Sequence, residues 1–259
     1  GNIQKNKITP VRVHVINIFE DLIGISKKRS SLVDKAFRLI NDIGYGVIVF
    51  IRDTNKNVIS NNLSKLQDDG KIRHIGITNF DTERMQIMND NGIELISNQV
   101  QYSIIDQRPD VKMASFCKKH NMKLLAYGTL LGGLLTEKYL GATEPTRADL
   151  DTYSLQKYMN VIDAWGGWQL FQELLVTLDE IAKKYDVQIA NIATRFVLDR
   201  PAVAGTIIGS RLGLSDHIAQ NTKTFSLKLQ NDDYEKIKSV TSKANDLFAS
   251  IGDCGGEYR

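Results

Sequence analysis

KIRHIGITNF (residues 71–80), followed at once by DTERMQIMND (81–90), is the stretch on which the fold turns. IRHIGIT (72–78) is rich in β-branched residues and predicts a strand. Asp81 can cap the start of a helix over the residues that follow. Between them lies the polar pair Thr78-Asn79, at the carboxyl end of the strand. In parallel α/β folds that end carries the ligand site. Taken alone, the segment reads as a polar strand-to-helix turn.

Working outward, the same alternation recurs on both sides. Upstream, VRVHVINI (11–18) and GVIVFI (46–51) predict strands, with a helix between them carrying Leu32, Ala36, Leu39 and Ile40 at helical spacing. NNLSKLQDDG (61–70) predicts a helix. Downstream, ELISNQ (94–99) predicts a strand, PDVKMASFCKKHN (109–121) a helix and KLLAYG (123–128) a strand. A polar stretch, TEPTRADLDTYS (143–154), is followed by two amphipathic helices, GWQLFQELLVTLDEIAKKYD (167–186) and QIANIATRFVLDR (188–200). VAGTIIGS (203–210) then predicts a strand, and a last helix falls near 231–246. The rhythm predicts an α/β fold of parallel strands with surrounding helices, open or closed into a barrel.

Three further strand ends carry polar chemistry. SNQVQYS (97–103) ends a strand in amides, and a Gln there offers a donor and an acceptor to a flat carboxamide. LLAYGTLLGG (124–133) presents Tyr127 ahead of a glycine-bearing loop that lets backbone amides approach a phosphate. TIIGSRLGLSDHIAQN (206–221) sets Gly209, Ser210 and Arg211 before a helix whose start favours an anion.

These four segments, in this order, resemble the second half of an aldo-keto reductase barrel over roughly residues 61–259. WGGWQLFQELL, RFVLDRPAVAGTIIGSRLG and IGDCGGEYR resemble a subgroup of NADP-linked oxidoreductases within it. By that resemblance Thr78, Asn79 and Gln99 hold the nicotinamide carboxamide and Tyr127 stacks on the ring. Gly128, Leu130 and Lys138 lie along the pyrophosphate, and Ser210 and Arg211, after Gly209, meet the adenosine 2′-phosphate. Gln220 and Asn221 meet the adenine. An Arg fork favours NADP over NAD. Two departures touch the phosphate end. Gly128-Thr129 stands where the family often has Ser-Pro, and the spacing from Gly209 to Asn221 is longer by two residues.

The family's catalytic tetrad of Asp, Tyr, Lys and His comes from its first four strands, and no matching segment lies upstream of Asn61. No catalytic residue is assigned. Tyr102, His74 and His14 are the substitutes available, and the two histidines read as packed strand residues. Residues 1–60 instead resemble the start of a GTP cyclohydrolase II domain, through TPVRVHVINIFEDLIG and SSLVDKAFRLINDIGYGVIVFIRD. The three zinc-binding cysteines of that family fall at Asn17, Lys28 and Ser30, so no metal is expected. The seam lies near DTNKNVISNN (53–62). A partial or recombined (β/α) barrel is the expected architecture, a chimera in which either the leading βαβ unit completes the sheet of a half barrel, giving six strands, or the join is an artificial or misassembled fusion. The resulting expectation is an NADP(H)-binding protein with little or no carbonyl reductase activity, or alternatively a non-catalytic structural protein with relic cofactor residues.

Composition bounds the partners. Lys and Arg total 33 and Asp and Glu 30, interleaved along the chain, which gives nucleic acid no basic face to bind; Lys27-Lys28-Arg29 reads as a solvated run. Cys117 and Cys254, far apart, form no disulfide framework and fit a reducing, cytoplasmic setting. No apolar run of membrane-spanning length and no leader is present, although the opening on Gly1 points to a processed or incomplete start. Uncovered strand edges invite self-association.

Overall fold

The computed structural model describes residues 11–15, 38, 47–51, 73–209 and 217–254. The helix expected over 61–70, Asn17, Lys28, Ser30, Ser210 and Arg211 lie outside them, as does the seam at 53–62. The chain divides into two compact units, the first running to Gln99 and including Lys119–Lys123, the second made of Val100–Lys118 and Leu124–Gly255.

In the first unit four strands run parallel in chain order. β1 (Val11–Val15) pairs with β2 (Val47–Ile51) over five residues, from Val11 opposite Val47 to Val15 opposite Ile51. β2 meets β3 (Ile75–Thr78) at Val49 and Gly76. β3 meets β4 (Leu95–Gln101) from Ile75 opposite Leu95 to Thr78 opposite Gln99, with a register shift after Ile75. The strands of the leading segment thus continue directly into those of KIRHIGIT. All four residues of β3 are buried, the pattern of a parallel strand covered on both faces. α1 (Thr82–Asp90) starts as expected: the Asp81 carboxylate accepts from the Arg84 backbone N–H at 2.8 Å and also pairs with the Arg84 guanidinium. The helix buries Met85 and Met88.

The second unit contains α2 (Met113–Lys119) and pairs β5 (Lys123–Tyr127) in parallel with β6 (Val203–Ile207), from Leu124 opposite Val203 to Tyr127 opposite Ile207. Parallel neighbours need a crossover, and here it is long and helical: α3 (Tyr153–Trp165), α4 (Gly167–Lys184) and α5 (Ile189–Leu198). α4 buries Phe171, Leu174, Leu175, Leu178 and Ile181, and α5 buries Ile189, Ile192, Phe196 and Val197. Each such side chain contributes about 1.5–3 kcal/mol of transfer free energy. α6 (Ile218–Thr222), α7 (Asn231–Thr241) and α8 (Leu247–Ile251) follow.

Two elements depart from the sequence reading. α3 falls in a stretch left unassigned after Thr152, because its N-terminal half is polar. Its buried residues Tyr158, Met159, Ile162 and Trp165 nevertheless keep helical spacing, and Thr152 caps it by accepting from Leu155 N–H. The helix expected over 109–121 is shorter: Arg108–Asp110 form a separate single turn, and regular helix begins only at Met113. Pro109 has no N–H to offer a continuous helix and sits where that costs least, at the start of the turn.

Candidate functional site

In the first unit, the end of β3 is built around Asn79, whose φ of 56° lies in the left-handed region. Asn enters that region at lower cost than most residues. Its backbone N–H donates to the Gln99 carbonyl at 2.9 Å, which carries the ladder one step past the strand. From the next strand the buried Asn98 side chain donates to the Phe80 carbonyl at 2.8 Å, pinning the turn that leads to Asp81. Thr78, 3% exposed, has a buried hydroxyl with no hydrogen-bond partner. An unmet buried hydroxyl costs about 1–3 kcal/mol. Thr78, Asn79 and Gln99 are therefore held side by side at neighbouring strand ends.

In the second unit Tyr127 ends β5, half-buried, its carbonyl accepting from the Tyr102 N–H at 3.0 Å. Gly128 follows with φ 70°. A Cβ there would collide with the Tyr158 hydroxyl, and one at Gly132 (φ 69°) would lie 2.9 Å from the Ser154 Oγ. The space vacated by these two glycines is thus taken by α3, which packs on the loop. Leu130, half-buried, accepts through its carbonyl from Gly133 and Leu135 N–H. Lys138 is exposed, with its Nζ 5.0 Å from the centre of its neighbour Tyr139. Gly128→Ala should cost about 2 kcal/mol, from the left-handed φ and the overlap with Tyr158. A urea titration that moves by less than a quarter of that would contradict the packing.

Gly209 is exposed just past β6. Gln220 and Asn221 lie on the short helix α6. The buried Asn191 side chain holds that helix, donating to the Gln220 carbonyl at 2.8 Å and to Thr224 Oγ1 at 2.9 Å. Its oxygen accepts from the Gln188 N–H at 3.0 Å and completes the start of α5. The Gln220 side-chain oxygen is buried without a hydrogen-bond partner.

The candidate proton donors fare differently. Tyr102 is fully buried, and its hydroxyl donates to the Asp110 carboxylate. Burial, followed by the Asp110 charge and hydrogen bond, pushes its pKa far above the ordinary tyrosine value. A phenol so held retains its proton. His74 is exposed and precedes β3, at the opposite end of the strand from Thr78, so the expectation of a packed strand histidine fails there. The His14 side chain lies outside the described residues. Sequence reasoning also passed over Lys157 and Tyr158 on α3. The Lys157 Nζ stands 5.4 Å from the ring centres of both Tyr127 and Tyr158. Only the spacing of buried residues on α3 could have pointed to them.

Parallel strands with polar carboxyl ends, wrapped by helices, define an α/β protein of the barrel class. The chain belongs to the aldo/keto reductase family, whose model matches residues 51–242. The GTP cyclohydrolase II model matches residues 1–96, so both families meet on 51–96. Among curated relatives, the flagellar radial spoke protein 5 of Chlamydomonas reinhardtii is 34% identical over 131 residues, covering 50% of this chain and 25% of the relative. Protein tas of Escherichia coli (strain K12) is 28% identical over 183 residues, covering 69% and 50%. The chain therefore spans a quarter to a half of the length of these relatives. In solved structures, a glycerol dehydrogenase from Gluconobacter oxydans aligns with a TM-score of 0.63 at 22% identity, covering 82% of this chain and 64% of that one. That likeness concerns the fold. Among the described residues, no helix is long and apolar enough to cross a membrane.

Proposed function

We propose that this chain is an NADP(H)-binding oxidoreductase of the aldo/keto reductase family with little or no carbonyl reductase activity. The observation that carries the reading is the Thr78-Asn79 turn fastened to Gln99 at the carboxyl ends of neighbouring parallel strands. Thr78, Asn79 and Gln99 hold the carboxamide edge, Tyr127 offers a ring face, and Gln220 with Asn221 serves the adenine. NADP over NAD rests on Arg211 and Ser210, as donors to a 2′-phosphate. The bound dinucleotide supplies a hydride. Neither of the two described donors considered from the sequence is a positioned acid for the developing alkoxide: Tyr102 is committed to Asp110, and His74 lies at the opposite end of the strand from Thr78. Such an acid is worth roughly a hundred-fold to ten-thousand-fold in rate.

The test is an NADPH fluorescence titration run beside turnover of a nitrobenzaldehyde. Binding with turnover close to background is the expected result. Thr78→Val is the diagnostic variant: it removes only an unpartnered hydroxyl, so stability should hold or rise, while affinity for NADPH falls about five- to ten-fold. An unchanged affinity in Thr78→Val, or rapid turnover by the wild type, would count against the reading. A second reading, a structural protein with relic cofactor residues, is favoured by one observation: Tyr158 occupies the space that Gly128 leaves. It requires that the intact protein bind no NADPH at all.

A further inference from the structure

The first turn of α5 is bonded to two segments distant in the chain. On one side the Ile189 backbone N–H donates to Glu137 Oε1 at 2.6 Å, in the single turn Glu137–Tyr139 that also carries Lys138. On the other the Asn191 side chain donates to the Gln220 carbonyl at 2.8 Å and to Thr224 Oγ1 at 2.9 Å, which fastens α6 and the turn Lys223–Phe225 that follows it. The Asn191 amide can stand in one orientation only. Its oxygen accepts from the Gln188 N–H at 3.0 Å, so its nitrogen must face the Gln220 carbonyl. Asn191 is 1% and Thr224 2% exposed, and a bond lost at such a depth leaves a polar group unmet. α6 has five residues and no side-chain bond capping its start at His217. So short a helix takes its place from tertiary contacts more than from its own hydrogen bonds.

We infer that Asn191 is a positioning residue for the adenine end of the dinucleotide: it sets where α6 presents Gln220 and Asn221, and through the same turn of α5 it sets their distance from Lys138, expected along the pyrophosphate. This role rests on the cofactor reading above. Asn191 acts through α6 and needs no contact of its own with the ligand. Within α6, the Asn221 N–H still donates to the His217 carbonyl and the Thr222 hydroxyl to the Ala219 carbonyl, so loss of the Asn191 bond displaces the helix without unwinding it. Part of the binding energy of the adenosine half is then spent on drawing α6 back.

The full chain is titrated with NADPH and, separately, with reduced nicotinamide mononucleotide, which lacks the adenosine half. Asn191→Asp keeps the oxygen that accepts from Gln188 and puts a second oxygen where the donor to the Gln220 carbonyl stood. It should weaken NADPH binding about ten-fold and leave the mononucleotide within about two-fold of wild type. Thr224→Val removes the second bond without adding a charge; it should weaken NADPH about two- to three-fold with the same selectivity, and it carries the test where Asn191→Asp does not fold. Gln220→Ala with Asn221→Ala should remove the adenine contacts outright, and Asn191→Asp added to that pair should change NADPH affinity no further. Unchanged NADPH affinity in the folded Asn191 or Thr224 variant, with the alanine pair weakened, overturns the positioning role and leaves the cofactor reading standing. An effect that persists in full in the alanine pair, or that falls equally on both nucleotides, overturns it as well, because a merely structural defect has no such selectivity. If the alanine pair binds NADPH as the wild type does, or the wild type binds no NADPH, the cofactor reading itself fails and this role with it.

Discussion

Replacing Asp106 with Ala should lower the unfolding free energy by about 3–5 kcal/mol, the largest single effect expected in the described structure. Asp106 is fully buried and Arg108 is 5% exposed. The guanidinium grips the carboxylate with two parallel bonds, Nε to Oδ1 and Nη2 to Oδ2, each 2.8 Å. Gln101 Nε2 adds a third at 2.7 Å, and Arg108 Nη1 reaches the Gly252 carbonyl at 3.2 Å. The pair thus ties the segment after β4 to the residues after α8. Attraction between the two ions roughly offsets their removal from water, so the intact pair adds little net stability. Losing one partner strands the other charge in a dry site. Urea denaturation of Asp106→Ala measures the cost. Asp106→Leu with Arg108→Met removes both charges and should recover most of the loss, which separates stranded charge from lost packing. A cost under about 1 kcal/mol for the single change would mean that water reaches the pair.

Much of this architecture was legible in the sequence, and the parts that were not share a cause. The strand ending in Thr78-Asn79, the Asp81 cap and the strands at 94–99 and 123–128 are local events, set by β-branched runs and a short polar side chain beside the first helical turn. They emerged in place. The α4 and α5 helices carry apolar residues on one face over several turns, and they too emerged. α3 escaped because its buried set begins only at Tyr158, after a polar first turn. The purpose of Gly128 escaped for a different reason. A glycine in a loop states that something comes close to the backbone without stating what, and here the close neighbour is Tyr158, thirty residues on. The commitment of Tyr102 to Asp110 is likewise tertiary: its burial and its partner follow from the turn that Pro109 starts. The candidate site was therefore readable as far as which residues stand at strand ends, and unreadable in what already fills the space beside them.

The second large effect concerns Asp233, at the start of α7, where one buried carboxylate does three jobs. Its Oδ2 accepts from the Gln230 backbone N–H at 2.9 Å and from the Tyr185 hydroxyl at 2.5 Å, and its Oδ1 from Lys184 Nζ at 2.9 Å. It thereby caps α7 and fastens it to the end of α4. Burial pushes the Asp233 carboxyl upward, but the Tyr185 hydroxyl, the Gln230 amide and the Lys184 ammonium outweigh it, leaving its pKa below the ordinary carboxylate value. The hydrogen bond to Asp233 holds the Lys184 ammonium above the ordinary lysine value, and burial with the same carboxylate raises Tyr185. A carboxyl whose pKa is depressed by folding adds stability that is complete above the unfolded value near 4 and fades as pH falls through the folded one. Groups whose pKa is raised by folding add stability that is present below their unfolded values near 10 and fades as pH rises beyond them. Between those limits the joint should be insensitive to pH. Asp233→Ala, which loses the cap and the bonds to Tyr185 and Lys184, should cost about 2–3 kcal/mol at neutral pH. Asp233→Asn keeps an acceptor for the cap and should cost less. Measured as stability against pH, the gap between wild type and Asp233→Asn should be constant from about pH 5 to 9 and close as pH falls below about 4. A gap that stays open at pH 2 would show that the carboxylate charge contributes nothing to the joint between α4 and α7.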